Sequence, residues 1–263
     1  MEKVSIIIPA YNEEKRIGNT LAAYGKFFSG LKKSKKLNYE ILVVINNTKD
    51  KTEEVVKKYQ KINKNIRYVN FKQGGKGFAI IEGFKDALTR KENTLIGFVD
   101  GDMATPPEAF YDLVKNIGGF DGVIASRWLK NSVVKTKQSF LRRTLSRGFN
   151  FIVRSMFLMP YRDTQCGAKL LKKRALLMIL PQLNLTQWAF DVNLLYICQK
   201  KGILIKEIPT IWEDKTDSKL DITKTPIQMF SGVLRLRLIN SIFEPLLRPI
   251  KGILRLADRI INK

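Results

Sequence analysis

The sequence predicts an α/β fold with a mainly parallel sheet and helices on both faces. Apolar runs of strand length alternate with segments of helical period through the N-terminal half. Those runs are continuous rather than alternating, as in strands buried on both sides. Each ends in a polar turn, and in a parallel sheet such turns gather at one end, where ligands bind.

Residues 4–8 form the first expected strand, stopped at Pro9. Residues 13–28 follow as a helix, with Ile17, Leu21, Tyr24 and Phe28 on one face and acidic residues in its first turn. Residues 40–45 are the second strand, and residues 48–50 cap a helix through Tyr59. Residues 66–71 make a third strand, followed by Gly74-Gly75-Lys76-Gly77 and a helix to Leu88. Residues 95–99 are the fourth strand, running into Asp100-Gly101-Asp102, and Pro106-Pro107 then opens a helix. A fifth strand spans 121–125. Residues 140–159 read as a helix or helix pair, broken or bent near Gly148. Residues 163–169 are a polar turn entering a short strand, 188–199 an amphipathic helix bearing Asp191, and 203–208 a last strand. From Pro226 onward apolar residues at helical spacing are interleaved with arginines, and Pro245 and Pro249 divide the segment into short helices. The expected division is therefore a domain over 1–225, containing an interfacial helical segment at 140–159, and basic amphipathic helices over 226–263 that lie on a membrane surface.

A formal net charge of +23 calls for a polyanionic partner: nucleic acid, an anionic membrane face, or phosphorylated substrates. The absence of histidine excludes His-based triads, His metal ligands and the commonest general base. Cys166 and Cys198 form no metal-spaced set, and free thiols in a reducing compartment are expected. The chain shows no signal-peptide core and no apolar run of membrane-spanning length, so the expectation is a peripheral protein on the cytoplasmic face of a membrane.

Asp100 and Asp102 stand one residue apart at a strand exit. Held close, two carboxylates repel, and a divalent cation with a taste for hard oxygen, Mg²⁺ or Mn²⁺, relieves the repulsion. Alone, Asp-Gly-Asp is also an ordinary solvated turn; its place beside three other polar strand exits favours a site. The glycine stretch fails the dinucleotide fingerprint, because residue 80 is Ile, and fails the Walker pattern, because Gly follows Lys76. It remains a turn with one cation at a helix N-terminus, suited to phosphate.

Together these residues resemble family 2 glycosyltransferases of the GT-A fold, a Rossmann-like architecture. The subgroup that loads sugar onto polyprenyl or dolichyl phosphate is the nearest, in particular the dolichyl-phosphate glucosyltransferase branch. The resemblance runs from Val4 to Leu220. It rests on Ile8-Pro9-Ala10-Tyr11-Asn12-Glu13-Glu14, Gly75-Lys76-Gly77, Asp100-Gly101-Asp102 with Pro106-Pro107-Glu108, and Ser126-Arg127. Further along it rests on Asp163-Thr164-Gln165-Cys166-Gly167-Ala168-Lys169, Trp188-Ala189-Phe190-Asp191-Val192 and Ser218-Lys219-Leu220.

The resemblance implies that Pro9, Tyr11 and Glu13 border the base and ribose, with Asn46 beside them. Asp100, Gly101 and Asp102 would meet ribose and metal, and Lys76 the diphosphate. Arg127, Arg142, Arg143, Arg147 and Lys219 would face the acceptor phosphate. The chain departs from the pattern at Ile45 and Asn46, where the family carries an acidic pair, and at Asn193. Ala104 stands where the mannosyl branch has Gln, which leaves UDP-glucose as the favoured donor.

A phosphate monoester, with a second pKa of about 6, is already ionised at neutral pH, so such an acceptor needs no general base. The expected reaction is a single displacement with inversion, in which metal at Asp102 and Asp100 eases departure of the nucleoside diphosphate and Asp191 orients a substrate. A second reading keeps the fold and moves the sugar to a glycan or lipid-linked hydroxyl, with Asp191 as base. A basic nucleic-acid-binding protein is the reading from another class; the chain carries no zinc spacing, basic zipper or RNP-like motif for it.

Overall fold

The computed structural model describes residues 2–135, 140–183, 189–213 and 224–239, without the side chains of 140–143, 145, 224–228 and 239. A seven-stranded sheet runs in the order β3-β2-β1-β4-β7-β5-β8. Its strands are β1 (Lys3–Ala10), β2 (Asn38–Asn46), β3 (Ile66–Phe71), β4 (Leu95–Val99), β5 (Gly122–Ser126), β7 (Ala168–Lys172) and β8 (Ile205–Pro209). All neighbours are parallel except at β7, which is antiparallel to both β4 and β5. A separate pair joins β6 (Val133–Val134) to β9 (Ile211–Trp212).

The apolar runs divide by strand alternation into two cores. Val4, Ile6 and Ile8 of β1 and Ile41, Val43 and Ile45 of β2 face one side. There they meet Leu21, Tyr24 and Phe28 of α1 (Ile17–Lys33), Val56 of α2 (Thr52–Ile62) and Phe110 of α4 (Pro107–Lys115). Ile7, Leu42 and Val44 face the other side. Their partners include Ile80 and Phe84 of α3 (Lys76–Thr89), Leu176 of α6 (Lys173–Ile179) and Phe190 and Leu194 of α7 (Phe190–Lys200).

A third cluster attaches the basic helices. Val153 and Phe157 of α5 (Phe140–Phe157) pack with Val192 and Leu195 of α7 and with Val233 and Leu236 of α8 (Lys224–Ile239). The boundary expected between 225 and 226 thus falls within α8, and this helix packs on the domain; residues 240–263 lie outside the described ones. Nor is α5 broken at Gly148. It runs as one helix because burial of Val153 and Phe157 outweighs the roughly 1 kcal/mol penalty of an exposed helical glycine. The first helix begins later than its acidic residues suggest: Arg16 and Ile17 N–H both donate to the Glu13 carbonyl, so Glu13 and Glu14 form the turn before it.

After β3 the chain crosses back over β1 to form β4. The exits of β1 and β4 therefore stand side by side, with α1 and α4 packed on the same face, and the crevice lies at the carboxyl ends of these strands. No helix among the described residues is long and apolar enough to cross a membrane.

Candidate active site

Three strand exits carry a non-glycine residue with left-handed backbone: Asn12 after β1 (φ 52°), Asn47 after β2 (φ 48°) and Met103 after β4 (φ 59°). Asparagine tolerates this region, and Met103 is held there by its surroundings. Under the Asp100–Pro106 loop, Thr20 Oγ1 donates to Gly101 O at 2.7 Å and Tyr24 Oη donates to Thr105 O at 2.8 Å. Asp102 Oδ1 accepts from Ala104 N at 2.9 Å, and Glu213 N donates to Ala104 O at 2.9 Å. The carboxylates thus rise from a loop fixed on several sides.

Asp100 meets Lys76, the first residue of α3, with Nζ 2.7 Å from Oδ1. Lys76 also reaches Asp191 Oδ2 at 3.5 Å. The other oxygen of Asp191 accepts from Lys169 Nζ at 2.6 Å, and the same ammonium donates to Cys166 O at 2.7 Å. Asp191 and Lys169 are both buried, a pair in the floor of the crevice. A row of alternating charge results: Lys169, Asp191, Lys76, Asp100.

The ionisation of these groups follows from the row. Burial opposes the charge on Asp191, but Lys169 and Lys76 outweigh it and hold the carboxyl below its usual range. Burial and the neighbouring charges of Asp102 and Asp191 push Asp100 upward, against the pull of Lys76. Burial likewise opposes the charge on Lys76, yet Asp100 and Asp191 keep it more basic than a free lysine.

The antiparallel β7 completes this arrangement. Its register sets Val99 opposite Ala168, which places Gly167 against Asp100. A Cβ on Gly167 would lie 1.9 Å from Asp100 Oδ2, so any larger residue would displace the carboxylate. The preceding loop wraps Asp163, only 1% exposed. Arg127 donates to it from Nε (2.7 Å), Nη2 (3.0 Å) and its backbone N (3.0 Å). Gln165 N and Cys166 N each add a bond at 3.1 Å, and Glu207 accepts from the backbone of Arg162 and Asp163. Burial opposes ionisation of Asp163, and Arg127 with these N–H groups overrides it. The Arg127 guanidinium lies 5.3 Å from the rings of both Trp128 and Trp212, and Arg147 covers Trp128 at 4.9 Å.

The structure thus brings Lys76, Asp100, Gly101, Asp102 and Asp191 together, with Arg127 and Arg147 on the adjoining wall. Tyr11 stands at the exit of β1, 46% exposed. Pro9 lies at the end of β1. Glu13 is taken up by a two-pronged bond from Arg16. Asn46 is buried; in the amide orientation that satisfies both ends it donates to Ala10 O and accepts from Gly75 N, each at 3.0 Å. It ties the β1 exit to the glycine turn. The side chains of Arg142 and Arg143, and Lys219 entirely, lie outside the described residues.

Sequence reading missed Lys169 and Asp163 as parts of the site. Lys169 left a signal: a lysine inside the apolar strand Ala168-Lys169-Leu170-Leu171 must find an acid when buried. The thiols offer no nucleophile, since burial pushes both Cys166 and Cys198 up to about 12.

With this geometry in place, the family model for glycosyl transferase family 2 matches residues 5–178. The chain belongs to glycosyl transferase family 2. As a member it is a glycosyltransferase, and its Rossmann-like sheet is the GT-A fold. It is 36% identical to a dolichyl-phosphate beta-glucosyltransferase of Dictyostelium discoideum, over 89% of this chain and 73% of that one. It is 32% identical to the human dolichyl-phosphate beta-glucosyltransferase, over 90% and 75% of the two chains. Among solved structures, glucosyl-3-phosphoglycerate synthase of Mycobacterium tuberculosis with Mn²⁺, UDP and glucosyl-3-phosphoglycerate superposes with a TM-score of 0.66 at 17% identity, over 92% of this chain and 82% of the other. The glycosyltransferase motifs at Asp100–Asp102 and at Lys76 both lie inside the matched span.

Proposed function

We propose that this glycosyltransferase moves glucose from UDP-glucose to dolichyl or another polyprenyl phosphate at a membrane surface, with inversion. The observation that carries the choice of acceptor is the clamping of Asp191. Its Oδ1 is held by the buried Lys169 ammonium at 2.6 Å, a bond that remains when Lys76, 3.5 Å from Oδ2, turns to the diphosphate. A carboxylate held ionised in this way is a poor proton acceptor. The chain has no histidine, and its described cysteines are buried and protonated. An acceptor that arrives already charged suits this site, and a sugar hydroxyl does not.

The relatives' names support glucose and dolichyl phosphate, and the solved neighbours hold UDP with Mn²⁺ or Mg²⁺. Asp100 and Asp102 fit such an ion: two hard carboxylates on a fixed loop, one of them disfavoured as an anion by burial and by its like-charged neighbours. When bound, the ion would supply electrostatic stabilisation of the departing diphosphate. Lys76 adds positive charge to the same oxygens. Tyr11 offers its exposed ring to the base, with Pro9 and Glu13 at the border of the nucleotide and Asn46 behind it.

On the acceptor side, Arg127 has Nη1 left for a phosphate oxygen, and Arg147 brings a guanidinium stacked on the same tryptophan. Arg142, Arg143 and Lys219 belong to the same proposed field. Phe151, Ile152 and Leu158 by α5, with Phe230 and Leu234 of α8, are exposed apolar groups beside basic ones. They would enter the headgroup layer of an anionic membrane, where each nearby Lys or Arg contributes about 1 kcal/mol.

The test uses labelled UDP-glucose and GDP-mannose with dolichyl phosphate in vesicles and with soluble saccharides. Acid-labile glucosyl lipid formed from UDP-glucose is the expected product. Glucose appearing only on saccharide hydroxyls would overturn the acceptor.

A further inference from the structure

Lys76 and a divalent cation compete for one group. The Lys76 ammonium is 2.7 Å from Asp100 Oδ1, closer than to its second partner Asp191 at 3.5 Å. Asp100 cannot retreat toward β7, because its Oδ2 already fills the place a Gly167 side chain would take. Any exchange of partners at Asp100 must therefore come from Lys76. Its four-carbon stem allows this, and its place at the start of α3, after a Gly75 of φ 122°, points it at the crevice.

We propose that Lys76 is an internal competitor for the cation, handing Asp100 over to the metal as its own ammonium passes to the nucleotide diphosphate. Lys169 makes the exchange possible. It neutralises Asp191 from below through a 2.6 Å bond and is anchored on Cys166 O. Asp191 therefore keeps a partner when Lys76 moves. After the exchange Asp100 has the metal, Asp191 has Lys169, and Lys76 has phosphate, so no buried charge is left alone. Metal and nucleotide then favour each other's binding, and the metal alone binds weakly. The proposal rests on the reading of Asp100 and Asp102 as the metal pair.

The experiment measures Mn²⁺ binding, by the free-ion electron paramagnetic resonance signal, with and without UDP. Wild type should bind Mn²⁺ weakly alone and much more tightly with UDP. Lys76→Gln should bind Mn²⁺ alone roughly tenfold more tightly, because a repelling charge is gone, and should lose most of the enhancement by UDP. Lys76→Arg keeps the charge and should stay near wild type in Mn²⁺ alone. Mn²⁺ affinity unchanged or weakened in Lys76→Gln, with normal Mn²⁺·UDP binding in wild type, would overturn the hand-over and leave the metal pair standing. Failure of wild type to bind Mn²⁺ even with UDP would overturn the metal pair, and the hand-over with it.

Discussion

Around Asp102 the site is held by backbone: left-handed strand exits, and hydroxyls of α1 that donate to the carbonyls of Gly101 and Thr105. Around Arg127 it is held by charge: Asp163 receives five hydrogen bonds, and Glu207 grips the same loop from outside. The first region leaves Asp102 with one hydrogen bond among the described residues and Asp100 facing only the mobile-stemmed Lys76. The second consumes most of its charge internally and offers one guanidinium edge. A parallel sheet supplies the first kind of site at its strand ends. The antiparallel insertion of β7 had to be fastened by the second kind.

The largest effect should come from breaking the fastened side. Asp163→Ala leaves a buried guanidinium and three backbone N–H groups unpaired, and a loss of about 3–5 kcal/mol is expected from urea unfolding at neutral pH. Asp163 ionises more readily in the folded chain than at its usual 3.8. Its contribution is therefore complete above that value and disappears as pH falls through the lower, folded one. The gap between wild type and Asp163→Asn should narrow below about pH 4; a constant gap would show that the charge of Asp163 is not what holds the loop.

Asp102→Asn tests the open side. It should fold like wild type, since its one described bond, from Ala104 N, survives in an amide. Its transfer rate should fall by about 10²–10³-fold, the scale for losing one electrostatic contact in a transition state. A variant that is instead unstable would mean that both sides are fastened alike.

Lys169→Met sits between the two regions. Loss of the buried ammonium frees one oxygen of Asp191 and should raise the pH at which it protonates. The expected outcome is a new acid limb in the pH–rate profile, absent from wild type and absent again in Lys169→Arg, which keeps the cation. A uniform loss of activity at every pH would reduce Lys169 to a packing role.

What the sequence disclosed follows the same division. Asp100-Gly101-Asp102 and the Gly75-Lys76-Gly77 turn were readable because their meaning is local: residue type, strand end, helix start. The pairing of Arg127 with Asp163 spans 36 positions and depends on the direction of β7. Strand–helix alternation carried no sign of that direction. Asp191 was readable as a candidate but not as a buried ion pair, because its partner Lys169 comes from β7, 22 positions earlier in the chain. Gly148 misled for a related reason. Local propensity argued for a break in α5, and burial against α7 and α8 overrode it.

The smallest effect expected is also the most selective. Tyr24 is fully buried, and its ring packs among Phe28 and Phe110. Tyr24→Phe keeps that packing and removes only the bond to Thr105 O, so stability should fall by about 1 kcal/mol. If backbone anchoring is what positions the carboxylates, this distant hydroxyl should still matter to the crevice. The loop it anchors carries both Asp102 and the left-handed Met103. Mn²⁺·UDP affinity should therefore weaken a few-fold, while use of dolichyl phosphate at saturating donor stays unchanged. Equal losses on donor and acceptor would mean that the two halves move together, and the contrast between an open and a fastened side would fail.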